Sequence, residues 1–519
     1  MSSSPERWAF LNVVDKTGIV DFAYALKEAG FKILSAGATL SALRQAELEA
    51  EDARTWIGGP NVLEGPLGLL HPKLLAGIAA DRDNPSAMHE IERRHGVSID
   101  LVAVNLYPLA EALAEPNVGE AEIFDYVDVA GSTILRLAAR NFRHVIVLSD
   151  PGDYISAAES LKKSGAPLSL EKRKALAAKA FHYGAYYDAT VAQYFSGEEM
   201  PLPEEFVVAL KKTQEFAYGE NPHQQGALYT LSGARPWGVN AANLVAGRAL
   251  SYNHFLDLHA AWELATEIAE PSCAVVKFGI PVGFASSEKL SEAAYLAWRS
   301  DPRGASQGTA AVNRELDEDT AKILAEQFVS LVAAPQFSPK ALAILKTKKD
   351  ARLVTLPSTL IAAHEIDLAS VAGGVLLQDR DNQVFGASTR VASRRQPTDQ
   401  EMKSMRIAWH AAKFGKTHAA VVCRGGATIG IGSGQTSRLD AIRLALLKSQ
   451  ERHPIITGEL PVVMASDGPL SAEHVLEAAR AGVAAIMEPG GSADDKDAIE
   501  TADERGLALV FTGLRHFRH

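Results

Sequence analysis

The stretch AFLNVVDKTGIVDFAYALKEAGFKILSAGAT, residues 9–39, predicts the fold of the N-terminal part of the chain. Its apolar runs Ala9–Val14 and Phe31–Ser35 indicate strands, and Gly18–Gly30 between them indicates a helix. Continuous apolar strands separated by helices are typical of a parallel sheet covered on both faces. Further strands of this kind are predicted at Leu101–Leu106 and His144–Ser149. We therefore predict a doubly wound α/β domain.

The rest of the chain repeats the α/β style with longer connections, and two related halves would also fit it. Strands are predicted at Cys273–Lys277, Ala419–Cys423, Val462–Ser466, Ala484–Met487 and Leu507–Thr512. Helices are predicted at Asp317–Val332, Gln400–Phe414 and Ser437–Ser449. The polar stretch Gly197–Pro203 carries two prolines and follows the helical segment Glu171–Tyr194, so we place a domain boundary there.

The composition is that of a globular protein too long for one hydrophobic core. The chain has 519 residues, 47% of them hydrophobic, and a net charge of −11 without long like-sign runs, which argues against nucleic acid or an acidic membrane as a partner. Its two cysteines exclude a disulfide framework and a cysteine-rich metal site, so no metal is expected. The polar N-terminus and the lack of a long apolar stretch predict a cytoplasmic protein.

Candidate ligand-binding residues in the first part follow the predicted strands. Lys16 and the small residues Ser35, Gly37 and Thr39 lie at helix starts, where backbone N–H groups favour an anion. A tight turn with a helix cap is the alternative. Asn105 and Tyr107 follow a predicted strand and would reach the rim of the sheet, where ligands bind in open α/β folds. Asp128 opens a predicted helix that carries Arg136 and Arg140 on one face, for which a solvated helix surface is the alternative. His71 precedes a proline and could face a ligand or merely bond a nearby carbonyl.

The second part carries polar, turn-rich motifs. Tyr218 and Gly219 open the segment YGENPHQ, and residues 425–434 contain five glycines before Gln435 and Arg438. A glycine-rich loop followed by an arginine at a helix start suits an anion, although it is not a Walker loop. The C-terminal segment TGLRHFRH, taken alone, reads as a frayed tail.

In their order and wording these segments resemble the AICAR transformylase/IMP cyclohydrolase family nearly end to end. The resemblance rests on DKTG, LHP, VNLYP, YGENPHQ, LSYN, PGGS and the closing segment FTG…RHFRH. It implies a methylglyoxal-synthase-like cyclohydrolase domain at residues 1–198 and a cytidine-deaminase-like transformylase domain at residues 199–519. It also implies a homodimer with transformylase sites between subunits, nucleotide substrates, and 10-formyltetrahydrofolate as co-substrate.

The family's site residues carry over position by position. The resemblance implies catalytic roles at Lys277, His418, Tyr107, Asp128 and Arg140. It implies substrate binding by Lys16, Ser35, Gly37, Thr39, His71, Asn105, Tyr218, Gly219, Gln435, Arg438, Arg515, Phe517 and His519. The tasks are positioning and proton transfer, first in formyl transfer to a poorly nucleophilic amine and then in ring closure.

The sequence departs from the family at several of these positions. Gly68 stands where the family has a catalytic lysine, and Arg140 replaces a second lysine. Phe278 replaces a catalytic histidine, Ala217 replaces a phosphate-binding arginine, and His418 replaces an asparagine. Three interpretations remain open: a divergent bifunctional enzyme in which His418 supplies the missing imidazole, a paralogue for another nucleotide, or a catalytically silent homologue that binds or regulates.

Overall fold

The computed structural model describes residues 6–58, 66–115, 118–164, 168–196, 202–233, 237–357, 366–451 and 460–519. The chain divides into two compact units, Met1–Lys211 with Leu231–Arg235 (unit 1) and Lys212–Thr230 with Pro236–His519 (unit 2). Of the predicted linker Gly197–Pro203, residues 197–201 lie outside the described residues. No helix in the described ranges is long and apolar enough to cross a membrane.

Unit 1 is built on a five-stranded sheet in the order β3-β2-β1-β4-β5, in which every pairing is parallel. Its strands are β1 (Arg7–Asn12), β2 (Phe31–Ser35), β3 (Glu51–Asp52), β4 (Ile99–Val104) and β5 (Ile146–Leu148). Its helices are α1 (Ile19–Glu28), α2 (Gly37–Gln45), α3 (Ala53–Ile57), α4 (Pro72–Ala79), α5 (Pro85–Arg93), α6 (Leu109–Ala114), α7 (Glu120–Asp125), α8 (Val129–Arg140), α9 (Tyr154–Ser164) and α10 (Leu170–Ser196). The predicted doubly wound parallel sheet is confirmed.

The burial pattern explains why residues 7–39 form this strand–helix–strand unit. The four central residues of β1 are buried, and α1 buries Ile19, Phe22, Ala23 and Leu26 at helical spacing against the sheet. The strand order reverses between β1 and β4, so the crevice outside their carboxyl ends is the topological switch point.

Unit 2 contains two exposed hairpins and a larger sheet. The hairpins pair β6 (Leu210–Phe216) with β7 (Gly226–Leu231) and β14 (Ile366–Val371) with β15 (Gly374–Asp379). The other strands are β8 (Asn243–Ala246), β9 (Ser272–Lys277), β10 (Ile280–Ser286), β11 (Thr309–Val312), β12 (Leu331–Ala334), β13 (Arg352–Thr355), β16 (Arg390–Val391), β17 (Ala420–Arg424), β18 (Ala427–Gly432), β19 (Val462–Ser466), β20 (Val483–Glu488) and β21 (Ala508–Phe511). In the described ranges they form one sheet, in the order β16-β21-β20-β19-β17-β18-β10-β9-β11-β12-β13-β8.

The larger sheet consists of two halves with one topology, a relation that the sequence only suggested. In each half a helix precedes an antiparallel hairpin, which supplies the first two strands, and three further strands alternate with helices. The third strand of each half pairs antiparallel with the first. The fourth and fifth strands are parallel to the third. The helices of the first half are α11 (Tyr252–Thr266), α12 (Leu290–Ser300), α13 (Pro302–Ala305), α14 (Glu318–Ala325) and α15 (Pro339–Leu345). Those of the second half are α16 (Asp399–Lys413), α17 (Arg438–Glu451), α18 (Ala472–Arg480) and α19 (Asp495–Arg505).

Two predictions for unit 2 were wrong in part. The helix predicted at Asp317–Val332 ends at Ala325, and Leu331–Ala334 is a buried parallel strand, because neighbours β11 and β13 complete its hydrogen bonds. The C-terminal segment is not frayed. The buried His516 donates its backbone N–H to the carbonyl of Asp467, and Thr417 and Arg518 bond each other through their backbones and the Thr417 hydroxyl.

Glycines allow α12 and α17 to lie directly on the hairpins of their halves. A Cβ at Gly283 would come within 1.9 Å of the Ala297 carbonyl oxygen, and one at Gly432 within 2.0 Å of the Ala441 carbonyl oxygen. In both cases the obstacle is helix backbone, which cannot rotate away as a side chain can.

We predict that Gly283→Ala lowers the free energy of unfolding by about 1–3 kcal/mol, because the added methyl group overpacks the strand–helix contact. Gly374→Ala is the matched control, since its Cβ meets nothing closer than 3.9 Å. Urea unfolding of both variants measures the difference. Equal stabilities would contradict the close-packing argument.

Candidate functional site

The switch point of unit 1 is shaped by buried side chains bonded to backbone. Asn105, at the end of β4, accepts hydrogen bonds at Oδ1 from the N–H groups of Val14 (2.6 Å) and Asp15 (3.0 Å). Thr39 Oγ1 donates to the Val13 carbonyl (2.8 Å), and Ser35 Oγ donates to the Leu11 carbonyl (2.6 Å). These three predicted ligand residues are buried and hold the loop after β1 in place, so any contribution to binding acts through the loop's shape.

Of the predicted ligand residues at this edge, Lys16, Gly37 and Tyr107 are exposed, and the exposed carboxyl group of Asp15 lies beside Lys16. Lys16 Nζ donates to the Val14 carbonyl (3.2 Å), and Gly37, with φ of 54°, begins α2. A cation, a helix N-terminus and a phenol thus follow the carboxyl ends of three neighbouring strands, β1, β2 and β4, an arrangement that suits a phosphorylated ligand.

Asp128 closes this edge as the N-cap of α8. Its Oδ1 accepts from the Gly131 N–H (2.7 Å), and its own N–H donates to the Tyr187 hydroxyl (2.7 Å). Burial raises the pKa of the Asp128 carboxyl, and the N–H groups of Gly131 and Ala130 oppose that rise. A carboxyl group held in this way beside the switch point is placed for proton transfer.

Arg140 does not join this cluster in one chain. It is the exposed last residue of α8, and twelve residues of helix separate its Cα from that of Asp128 by about 18 Å. His71 is the N-cap of α4, where Nδ1 accepts from the Lys73 N–H (3.2 Å). Lys73 cannot simply replace the lysine missing at Gly68, because Nζ donates to the Trp56 carbonyl (2.6 Å).

In unit 2 the carboxyl ends of β9, β19, β20 and β21 point to the same edge of the sheet, as the chain of pairings requires. Two strands, β10 and β18, lie between β9 and β17, so Lys277 and His418 are at least about 14 Å apart along that edge. One chain thus presents two separate polar clusters.

The first cluster is centred on Arg438, at the start of α17. Its guanidinium donates from Nη1 to Ser466 Oγ (2.7 Å) and Asp467 Oδ1 (2.5 Å), and from Nη2 to His418 Nδ1 (2.7 Å). Asp467 is fully buried, and Thr417 Oγ1 donates to its other oxygen (2.9 Å). The bonds fix the guanidinium and orient the His418 ring.

The bond from Arg438 determines the protonation of His418. A guanidinium can only donate, so Nδ1 is the acceptor and the neutral ring carries its proton on Nε2. Burial and the Arg438 charge lower the His418 pKa, while Asp467 raises it. His418 can therefore donate a hydrogen bond to a ligand oxygen from Nε2.

The C-terminal segment forms part of this site. Phe517 packs edge-on against His418, and the Arg515 guanidinium lies 4.6 Å from the Phe517 ring centroid. Arg515, Phe517 and His519 line a cleft of about 1230 Å³ that also borders α11 and the β14–β15 hairpin. Gln435 lies next to the cluster, since its carbonyl accepts the His418 N–H (3.0 Å).

The second cluster surrounds the two-residue turn between β9 and β10. Phe278 and Gly279 both have positive φ (56° and 70°), and 79% of the Phe278 surface is exposed. Asp257 Oδ1 accepts the Gly279 N–H (2.7 Å), and Lys277 Nζ donates to the Ser306 carbonyl (2.7 Å). Burial raises the pKa of Asp257 to about 6. Asp257, which sequence reasoning missed, thus places a carboxyl group with a raised pKa beside Lys277.

Tyr218 and Gly219 lie in the turn between β6 and β7. Tyr218 is exposed, whereas Gly219 donates its N–H to the Gln224 carbonyl (2.6 Å) and shapes the turn. One group of described side chains could hold a metal: Asp81, Asp83 and His144, with ligand atoms within 4.8 Å. His144 lies just before β5, at the amino edge of the unit 1 sheet and away from the switch point.

A parallel sheet with a switch point and a duplicated α/β unit define a two-unit α/β protein with polar clusters at its sheet edges. The sequence profile of the AICARFT/IMPCHase bienzyme family matches residues 138–448, and that of the MGS-like domain matches residues 18–133. The first profile spans more than half of the chain. This chain belongs to the AICARFT/IMPCHase bienzyme family.

Relatives of nearly the same length agree with this assignment. The "Bifunctional purine biosynthesis protein PurH" of Chloroflexus aurantiacus is 42% identical over 98% of both chains. Those of Anoxybacillus flavithermus and Persephonella marina are 39% and 38% identical over 99% of this chain and 100% of their own. A structure titled "Crystal structure of ForH" is 35% identical and covers 37% of this chain and 99% of its own, with a TM-score of 0.34.

We predict that Arg438→Gln raises the His418 pKa, because it removes the cation that lowers it and leaves the Asp467 carboxylate that raises it. The change is measured by NMR titration of the histidine ring protons, with the His418 signal assigned from a His418→Asn variant. Arg443→Gln, on the exposed side of the same helix, should leave the pKa unchanged. A His418 pKa that is the same in both arginine variants would refute the contact.

Proposed function

We propose that this chain carries out two successive steps of purine synthesis. It would transfer the formyl group of 10-formyltetrahydrofolate to the amine of AICAR and close the product, FAICAR, to IMP. Residues 1–198 would close the ring, and residues 199–519 would transfer the formyl group. The observation that carries the proposal is family membership over nearly the whole chain, with relatives named as bifunctional purine biosynthesis proteins.

In the transfer step the AICAR amine nitrogen attacks the formyl carbon, the bond from that carbon to the folate nitrogen breaks, and the amine proton moves to the folate. His418 can donate Nε2–H to the formyl oxygen, where charge develops. Asp257 can accept the amine proton, since its pKa of about 6 leaves it ionised at neutral pH. This chain would thereby supply groups that compensate for Phe278.

The distance between the two clusters supports a homodimer as the working form. Lys277 and His418 lie too far apart in one chain to touch one small substrate atom, whereas two copies could place one cluster of each against the other. In unit 1, Tyr107 and Asp128 would assist attack of the carboxamide nitrogen on the formyl carbon, with loss of water. The substrates are small metabolites, and we place the enzyme in the cytoplasm.

Variants of the two units should separate the two activities. Lys277→Met should lower FAICAR formation by about 10²–10³-fold, because one fixed charge is lost from the transfer site. Tyr107→Phe and Asp128→Asn should lower only the conversion of FAICAR to IMP, by about 10²-fold or more. Chromatography of AICAR, FAICAR and IMP with purified protein measures both steps. No product from the unaltered protein would favour the silent homologue or the paralogue.

Phe278→His should raise the rate of formyl transfer without harming the fold. Position 278 has positive φ and an exposed side chain, and histidine adopts such a backbone more readily than most residues. His418→Ala should abolish formyl transfer in the unaltered chain. If Phe278→His gives no increase and His418→Ala no loss, the compensation by His418 is wrong.

A further inference from the structure

A buried carboxyl group lies beside the Arg438 cluster and has no role in the steps above. Glu488 is the last residue of β20 and is 0% exposed. Its Oε2 accepts the Gly490 N–H (2.8 Å), whereas no described donor reaches its Oε1 with hydrogen-bond geometry; the Leu470 N–H lies only near enough to favour the carboxylate. A carboxylate buried with one oxygen unpaired is strongly disfavoured relative to the neutral acid.

The charges around Glu488 do not remove this penalty. The positive charge of Arg438 favours the ionised form of Glu488, but the Arg438 guanidinium is already bonded to Asp467, Ser466 and His418. Asp495, at the start of α19, adds a negative charge. Burial first, and then Asp495, raise the pKa of Glu488 to about 8, against the opposing effects of Arg438 and the N–H groups of Gly490 and Leu470.

The other titratable groups described on neighbouring elements do not compensate a charge on Glu488. Arg390, on β16, places its guanidinium 5.2 Å from the Phe511 ring centroid and is not among the charges that shift the Glu488 pKa. His474, on α18, accepts the Ser471 N–H at Nδ1 (3.0 Å), and burial and Arg438 lower its pKa. Asp467, at the end of β19, is paired with Arg438. Asp494, beside α19, is a second acidic residue near this edge.

Glu488 and Asp495 hold the same turn from two sides. Asp495 accepts the N–H groups of Gly491 (2.8 Å) and Ser492 (3.0 Å), and Glu488 accepts that of Gly490. Gly490 and Gly491 both have positive φ, and a Cβ at Gly490 would come within 2.7 Å of the Phe511 ring. The turn therefore has little freedom to move the two carboxyl groups apart, and a negative charge on Glu488 would be held near that of Asp495.

We propose that Glu488 is protonated in the folded protein and acts as a positioning residue, whose neutral carboxyl holds the 489–492 turn against the Arg438 cluster. Ionisation would set two carboxylates on one turn and compete with Asp467 for Arg438. The consequence for formyl transfer rests on the proposed function; the charge state does not.

The charge state is tested by thermal unfolding of the full chain between about pH 5 and pH 8.5. A carboxyl whose pKa is higher in the folded than in the unfolded state loses stability as pH rises between the two values. Glu488→Gln keeps the shape of the side chain and cannot ionise. The melting temperature of this variant, relative to that of the unaltered protein, should therefore rise by several degrees as pH rises. Glu500→Gln, an exposed residue of α19, should show no such gain. If the difference in melting temperature between Glu488→Gln and the unaltered protein does not change with pH, the proposal is wrong.

The positioning role is tested by the pH dependence of FAICAR formation from AICAR and 10-formyltetrahydrofolate. The unaltered protein and Glu500→Gln should lose activity above about pH 8, and Glu488→Gln should lack this fall. An identical alkaline fall in all three would overturn the positioning role. If none of the three forms FAICAR, the transformylase proposal fails, and the unfolding experiment still decides the charge state.

Discussion

The ion pair between Arg438 and the fully buried Asp467 is the constraint on which the second half of unit 2 depends. Loss of one partner from a buried pair typically costs about 3–5 kcal/mol, because the other charge is left uncompensated. Glycine at position 468 leaves room for the guanidinium, since a Cβ there would come within 2.3 Å of Arg438 Nη2 and 2.8 Å of the Phe517 ring. Asp467 in turn accepts the His516 N–H through its carbonyl, so the same contact fixes the C-terminal segment.

Local sequence pattern predicted what depends on local burial. Phe31–Ser35 and Val462–Ser466 form strands within the predicted limits, because short, mostly apolar segments of this length suit a buried strand. The helix predicted to reach Val332 failed because a short apolar run fits a buried strand equally well, and only the neighbouring strands decide. Local spacing does not predict the bond between Arg438 and Asp467, which are 29 residues apart in the chain. Nor does it predict that Arg140 lies far from Asp128.

The duplicated topology places different chemistry at one edge. Because the halves run in opposite directions across the sheet, the edge that receives the carboxyl ends of β19–β21 receives the amino ends of β11–β13. The second half contributes Arg438 and His418 to this edge. The first half contributes the turn between β9 and β10, with Lys277 at its start and Asp257 of α11 bonded to the Gly279 N–H. One topology, used twice in opposite directions, thus places two dissimilar clusters at the same edge of the sheet.

Few backbone hydrogen bonds join the two halves of the larger sheet where β10 meets β18; we call this contact the seam. One β-bridge, Ala285 with Ala427, joins β10 to β18, and beside it the Phe284 N–H donates to Thr428 Oγ1 (2.9 Å) and the Ser286 N–H donates to the Gly426 carbonyl (3.0 Å). Both amides are buried, so deuterium can reach them only when the seam opens. Their isotope exchange therefore reports the parting of the two halves, and amides in the centre of each half report its own unfolding.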